Sequence, residues 1–104
     1  MARFVKVATT DQVPVGEAKL IGIDEKQVAL FNLDGAYYIL DDTCPHQGGP
    51  LSEGFVEEGI VTCPWHGAKF NVKTGEVTGP PARSGVARYN VRVQGSDIEI
   101  ELEG

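Results

Sequence analysis

The sequence predicts an all-β fold, and three features of its residue pattern support that prediction. Short apolar segments alternate with polar residues at a period of two, as in strands that bury one face. The dipeptide Asp34-Gly35 separates two apolar segments and favours a tight hairpin, because both turn positions need positive φ. No segment shows an apolar period of 3.6 residues over three turns, so long helices are not expected.

The expected elements extend along the whole chain and end in a hairpin. In this hairpin, residues 88–93 and 97–103 alternate on either side of a Gly95-Ser96 turn, so each strand should bury one face. Opposed arginines and glutamates on its solvated face could pair. A threonine could cap a single helical turn over residues 9–13. The other expected strands are residues 4–7, 18–23, 27–33, 36–40, 60–62 and 69–72, the last closed by a turn at 73–75.

The composition describes one small domain. The chain has 104 residues, of which 41% are hydrophobic and 23% are charged, as in a globular protein with one modest core. No apolar segment approaches the roughly 18 residues needed to span a bilayer, and the first residues lack the apolar block of a signal peptide. We therefore expect a single domain over residues 1–104, no membrane association, a cytoplasmic location and a monomeric state.

The charge of the chain narrows the class of partner. The formal net charge is −6, and the sequence contains no run of lysines or arginines. Nucleic acid and anionic membranes would be repelled by such a surface, so neither is expected as a partner. A protein with a basic docking surface is the more natural expectation, although the acidity could also serve solubility alone.

Both cysteines and both histidines of the chain lie in two loops rich in glycine and proline. The first loop, CPHQGGPL over residues 44–51, contains Cys44 and His46. The second, CPWHG over residues 63–67, contains Cys63 and His66. Loops on a rigid β scaffold are common places for functional sites. Scattered core residues would not be paired in this way, so the pattern predicts a metal site.

The choice of metal depends on the order of the ligands. Two thiolates and two imidazoles suit either tetrahedral zinc or an iron–sulfur cluster. Zinc sites usually take two cysteines from one segment and two histidines from another, whereas here each loop supplies one of each. That order suits a binuclear centre whose two irons differ in their ligands. Zinc remains the alternative, and a structural disulfide is disfavoured in a reducing compartment.

The two loops resemble the cluster-binding motif of Rieske proteins, C-x-H followed by C-x-x-H, and residues 40–81 carry the resemblance. It implies a Rieske-type antiparallel β-sandwich, in which a loop-rich cluster-binding subdomain of about residues 41–81 lies within a β base formed by the two ends. It also implies one 2Fe–2S cluster. Cys44 and Cys63 would hold the inner iron, and His46 and His66 the outer iron through Nδ1.

The resemblance also indicates which residues surround the cluster. Similar proteins of high potential carry a disulfide between the loops, and a serine and a tyrosine that donate hydrogen bonds to the cluster. Here Ala68 and Phe70 stand at the latter positions and cannot donate, so we expect a midpoint at the low end of the range of roughly −150 to +300 mV. Gly48, Gly49 and Gly67 should take positive φ and let the backbone approach closely. The other residues expected around the cluster are Gln47, Trp65 and Pro80, the last in a third, proline-containing loop.

The resemblance implies a ferredoxin that passes single electrons from a flavin-dependent ferredoxin reductase to a terminal oxygenase. Catalysis by this chain is not expected, because an oxygenase needs a second iron site with further histidines and both histidines are already assigned. The alternatives are a small subunit of a nitrite reductase-like complex and, less favoured, a zinc-binding structural domain. The docking surface is expected around the histidines. Its expected members are the apolar Pro50, Leu51 and Trp65 and the acidic Asp41, Asp42 and Glu53.

Overall fold

A computed structural model describes residues 2–23, 26–42, 50–64, 67–79 and 85–103. Within these residues the chain forms eleven strands and two short 3₁₀ helices, which cover Thr10–Gln12 and Leu51–Glu53. The all-β prediction is therefore confirmed. The strands are β1 (Ala2–Thr9), β2 (Ala18–Ile23), β3 (Lys26–Leu33), β4 (Ala36–Asp41), β5 (Phe55–Glu57), β6 (Ile60–Thr62), β7 (Lys69–Asn71), β8 (Val77–Gly79), β9 (Arg88–Tyr89), β10 (Val91–Gln94) and β11 (Asp97–Glu103).

The strands form three antiparallel sheets. Their orders are β1-β11-β10, β2-β3-β4-β9 and β5-β6-β7-β8. The first two sheets combine strands from both ends of the chain, whereas the third is a continuous meander over residues 55–79. This order agrees with the expected β base around an inserted subdomain, although the boundaries at about 41 and 81 stay a prediction.

Strand β3 lies between two hydrophobic cores. Val28 and Leu30 pack with Ile98 and Ile100 of β11, in the core between the first two sheets. Phe31, on the opposite face of β3, packs in the other core, which includes residues of the third sheet. All of these side chains are fully buried. A strand covered on both faces needs consecutive apolar residues, which explains the unbroken run VALF at 28–31.

The predicted hairpin at the C-terminus is correct only in part. The alternation of β11 is confirmed, and Arg92 pairs with Glu99 across the solvated face at 2.6 Å. The expected strand over 88–93 is wrong, because it divides at Asn90. Strand β9 joins β4 in the second sheet, while β10 joins β11 in the first. Val91 is half-buried and packs against the core between the first two sheets, whereas Val93 is 44% exposed. Strand β10 therefore buries only part of the face that the alternation indicated.

Two strands of the third sheet, β5 and β8, were not expected from the sequence. The turn between β5 and β6 has Glu58 and Gly59 at φ of 53° and 79°, a backbone conformation that glutamate rarely adopts. The expected Asp34-Gly35 turn has φ of 53° and 91° and is confirmed. The expected single helical turn is confirmed at Thr10–Gln12, with Thr9 at its N-cap position and the Thr9 N–H donating to Gln12 Oε1 at 3.1 Å.

Candidate metal centre

Cys63 is the one predicted ligand that lies within the described residues. Its side chain is only 1% exposed and belongs to the core that covers the third sheet. The predicted ligands Cys44, His46 and His66 lie outside the described residues, as do Gln47, Gly48, Gly49, Trp65 and Pro80. The described part of the centre consists of Cys63 and the segments at which the two loops begin and end.

The second loop is closed at its base by backbone hydrogen bonds. The N–H of Cys63 donates to the carbonyl of Ala68 at 2.7 Å, and the N–H of Gly67 donates to the carbonyl of Cys63 at 3.2 Å. Gly67 has φ of 75°, which confirms the expected positive φ at this position. Because β6 ends at Thr62 and β7 begins at Lys69, the closed loop is held at the end of a hairpin of the third sheet.

The first loop is closed at its base by Asp42. The Asp42 carbonyl accepts a hydrogen bond from the N–H of Leu51 at 2.6 Å. Its Oδ1 accepts a second bond from the N–H of Ser52 at 2.7 Å. Leu51 is fully buried in the same core as Cys63. The loop containing two predicted ligands therefore ends next to the core that contains a third.

The expected docking surface is corrected at two positions. Leu51 is fully buried, because its side chain fills the core beneath the loops, and Asp42 is 2% exposed, because its carboxylate accepts a backbone hydrogen bond. Neither can contact a partner. Glu53 is exposed, while Asp41 and Pro50 are half-buried. The acidic and apolar spacing of the sequence did not distinguish residues that support the loop from residues that face water.

Ala68 and Phe70 lie beside Cys63 in the core, and both side chains are fully buried. Neither side chain carries a hydrogen-bond donor. Their placement fits the expectation that these positions surround the cluster without donating to it. The resulting low midpoint potential stays a prediction.

Tyr89 binds the carboxylate next to Asp42. Its hydroxyl donates to Asp41 Oδ1 at 2.6 Å, and the Nζ of Lys26 lies 5.5 Å from the centre of its ring. Burial, followed by the hydrogen bond to Asp41 and the negative charge of Asp41, raises the pKa of Tyr89 to about 12. Asp41 is thereby joined to β9, whereas Asp42 is joined to the first loop.

Two features that support the loops were missed by sequence reasoning. A Cβ at Gly54 would lie 2.2 Å from the Thr62 carbonyl oxygen, so only glycine fits where the end of the first loop passes β6. Segment 85–87, which follows the expected third loop, is held by hydrogen bonds from Val86 N–H to the Gly75 carbonyl and from Asp41 N–H to the Ala87 carbonyl. A glycine in a sequence does not by itself indicate where the backbone passes close to another strand. Hydrogen bonds between distant backbone groups leave no sequence pattern either, so neither feature could be predicted.

Cys63 and its surroundings fit an iron–sulfur cluster. A thiol buried in an apolar core, at the base of a tight loop, is a suitable ligand for a shielded cofactor. The Rieske 2Fe-2S domain model matches residues 3–90. The chain belongs to the Rieske 2Fe–2S domain family. Within the described residues, no helix is long and apolar enough to cross a membrane.

Similar proteins within the Rieske family are ferredoxin subunits. The biphenyl dioxygenase ferredoxin subunit of Pseudomonas sp. strain KKS102 is 37% identical over 100 residues, which cover 95% of this chain and 92% of that protein. The 3-phenylpropionate/cinnamic acid dioxygenase ferredoxin subunit of Shigella boydii serotype 4 is 45% identical over 92 residues, covering 86% of this chain and 85% of that protein. The chain is accordingly a Rieske ferredoxin, an electron carrier rather than a catalytic enzyme.

Solved structures share the fold. The ferredoxin of carbazole 1,9a-dioxygenase from Nocardioides aromaticivorans IC177 has a TM-score of 0.89 and 30% identity, covering 93% of this chain and 95% of that chain. A putative NADH-dependent nitrite reductase small subunit from Mycobacterium tuberculosis has a TM-score of 0.89 and 24% identity, covering 100% and 98%. The second likeness concerns the fold alone, so the ferredoxin interpretation is the better supported of the two.

Proposed function

We propose that this Rieske ferredoxin holds one 2Fe–2S cluster through Cys44, His46, Cys63 and His66. We also propose that it passes single electrons from a flavin reductase to a terminal oxygenase. The observation that carries the proposal is the buried side chain of Cys63, which shares a core with Leu51 at the end of the other predicted ligand loop. A monomeric state and a cytoplasmic location stay predictions.

The proposed ligands suit the reversible uptake of one electron. The cluster supplies the redox chemistry, and two thiolates with two neutral imidazoles leave less negative charge on the site than four thiolates would. Electron entry is therefore electrostatically easier than in a four-cysteine cluster. The chain itself excludes water from Cys63 and holds the bases of both loops on the β scaffold, which reduces movement around the site during electron transfer.

A reductive titration tests the ligand set. The purified protein is titrated anaerobically with dithionite while visible absorption and EPR spectra are recorded, and its iron and zinc contents are determined. We expect a coloured protein that takes up one electron per chain and gives the EPR spectrum of a reduced mixed-ligand cluster. A colourless protein, or one that contains zinc in place of iron, would contradict the proposal.

The direction of electron transfer is tested with the redox partners from the same source organism. With a flavin reductase and NADH, the absorbance of the oxidised ferredoxin should decrease. Adding the terminal oxygenase, its substrate and oxygen should then restore this absorbance. A ferredoxin that the reductase leaves oxidised, or that the oxygenase fails to reoxidise, would overturn the proposed role. A variant with Cys63→Ser serves as the control for transfer that does not involve the cluster.

A further inference from the structure

Asp42 connects the β base to the far end of the first ligand loop. Its N–H donates to the carbonyl of Gln27 at 3.0 Å, which fixes the residue against β3. Its carbonyl then accepts from the N–H of Leu51, and its Oδ1 accepts from the N–H of Ser52. One residue thus binds two consecutive backbone donors on the other side of the loop.

The burial of Asp42 distinguishes it from an ordinary surface acid. A carboxylate removed from water is costly unless hydrogen bonds replace its hydration, and this side chain is 2% exposed. The 2.7 Å contact with the Ser52 N–H is in the range of charge-assisted hydrogen bonds. The carboxylate therefore replaces part of its hydration with a contact that closes the loop.

Closing this loop limits the positions that its ligands can occupy. Residues 43–50 lie between the two sides of the closure, and bringing the ends of such a segment together has an entropic cost. The closure also places Leu51 in the core that contains Cys63. The two described ends of the first loop are therefore held next to the core that contains Cys63, and the connection between them passes through Asp42.

We propose that Asp42 is a positioning residue for the cluster. By accepting hydrogen bonds from Leu51 and Ser52, it sets the place of Cys44 and His46 relative to Cys63. This inference rests on the proposed ligand set. It concerns the geometry of the loop and not the protonation of the carboxylate, so an asparagine that retains the acceptor oxygen should replace the aspartate.

The test compares three variants as loaded proteins. Asp42→Ala removes the acceptor and Asp42→Asn keeps it. Asp41→Ala is the matched control, because it removes the adjacent carboxylate and its bond to Tyr89 but keeps the hydrogen bonds of Asp42 to Leu51 and Ser52. The lifetime of the cluster is followed by visible absorption under excess chelator, well below the unfolding temperature. The g-values of the reduced protein are measured by EPR.

We expect Asp42→Ala to lose its cluster about tenfold faster than Asp41→Ala, the lower end of the effect of removing a residue that orients ligands. Its g-values should shift, while Asp42→Asn should keep the g-values and cluster lifetime of the unaltered protein. Equal lifetimes and unchanged g-values in the two alanine variants would overturn the proposal. Loss of the cluster from Asp42→Asn as fast as from Asp42→Ala would also overturn it.

A measurement on the unaltered protein tests the loop closure even if one of the variants does not fold. Hydrogen exchange of the loaded protein should be slow at the amides of Leu51 and Ser52, and exchange there at the rate of an unstructured chain would overturn the closure. Failure of the ligand set has a different signature. It leaves the unaltered protein without a cluster, whereas failure of this inference leaves that cluster intact and the Asp42 variants unaffected.

Discussion

The two predicted ligand loops are closed in different ways. At the second loop, the closing contacts enclose four residues, 64–67, and are formed by the backbones of Cys63, Gly67 and Ala68. At the first loop, they enclose eight residues, 43–50, and are formed by the carbonyl and carboxylate of Asp42. A short loop can be closed by its own backbone when glycine provides the turn, whereas the longer loop needs a buried side chain from the base. The comparison predicts that the first loop depends on long-range packing and the second on local conformation.

Removing the core contact of the first loop should have the largest effect. Leu51→Ala leaves a cavity beneath the loop, because this side chain is fully buried, and should lower the free energy of unfolding by about 2–5 kcal/mol. Leu20→Ala is the control, since Leu20 is 48% exposed on β2. Urea unfolding of both variants measures the difference. Equal losses would show that the end of the first loop is not fixed by its core contact.

A hydrogen-bond donor introduced at the second loop should raise the midpoint potential. The unaltered protein is expected in the lower part of the range of roughly −150 to +300 mV, because the side chains of Ala68 and Phe70 cannot donate. Ala68→Ser adds a hydroxyl beside Cys63, and donation to the cluster would stabilise its reduced form. Ala29→Ser adds the same group elsewhere in the same core and should leave the potential unchanged. A midpoint near the top of the range in the unaltered protein would contradict this account.

A side chain at Gly67 should have a smaller effect, confined to the backbone. Within the described residues, a Cβ there would meet no atom within 4 Å, so the penalty that the structure shows for Gly67→Ala comes from its φ of 75°. The expected loss is about 1–2 kcal/mol in the free energy of unfolding. Gly67→Asn should lose less, because asparagine tolerates this conformation better. Thermal unfolding distinguishes the two, and an alanine variant as stable as the original protein would refute the closure by glycine.

The contact between Asp41 and Tyr89 should have the smallest effect, visible only at high pH. Because the folded-state pKa of Tyr89 is raised to about 12, above the ordinary value of about 10, the folded protein holds this proton more tightly than the unfolded chain. The contribution of Tyr89 to stability should therefore be constant below about pH 10 and decrease as the pH rises from about 10 to 12. Tyr89→Phe should remove this decrease. Urea unfolding across that pH range measures it, and identical slopes in both proteins would contradict the assignment.

The sequence correctly predicted features that depend only on residues close to one another in the chain. The turn at Asp34-Gly35 and the positive φ of Gly67 follow from local backbone chemistry, and the burial of Ile98 and Ile100 follows from alternation within one strand. Features that depend on distant partners were missed. The strand divides at Asn90 because the residues on either side of it pair with different sheets. Strand β9, before Asn90, pairs with β4, and strand β10, after it, pairs with β11.

The errors at the site have the same origin. Nothing near Asp42 in the sequence indicates that its carboxylate binds Ser52, ten residues away. A leucine in a loop is also expected to lie at the surface when the core that it contacts is not known. Motif spacing therefore identified the predicted ligands, whereas the residues that support their loops emerged only from the packing.

The most direct test of the central claim is nitrogen ENDOR spectroscopy of the dithionite-reduced protein labelled with ¹⁵N-histidine. If both loops bring their ligands to one cluster, the spectrum should show hyperfine coupling to two imidazole nitrogens, one from His46 and one from His66. Each coupling should disappear when the corresponding histidine is replaced by cysteine, which retains a ligand for iron. A reduced protein with an iron–sulfur EPR signal but no histidine nitrogen coupling would contradict the account.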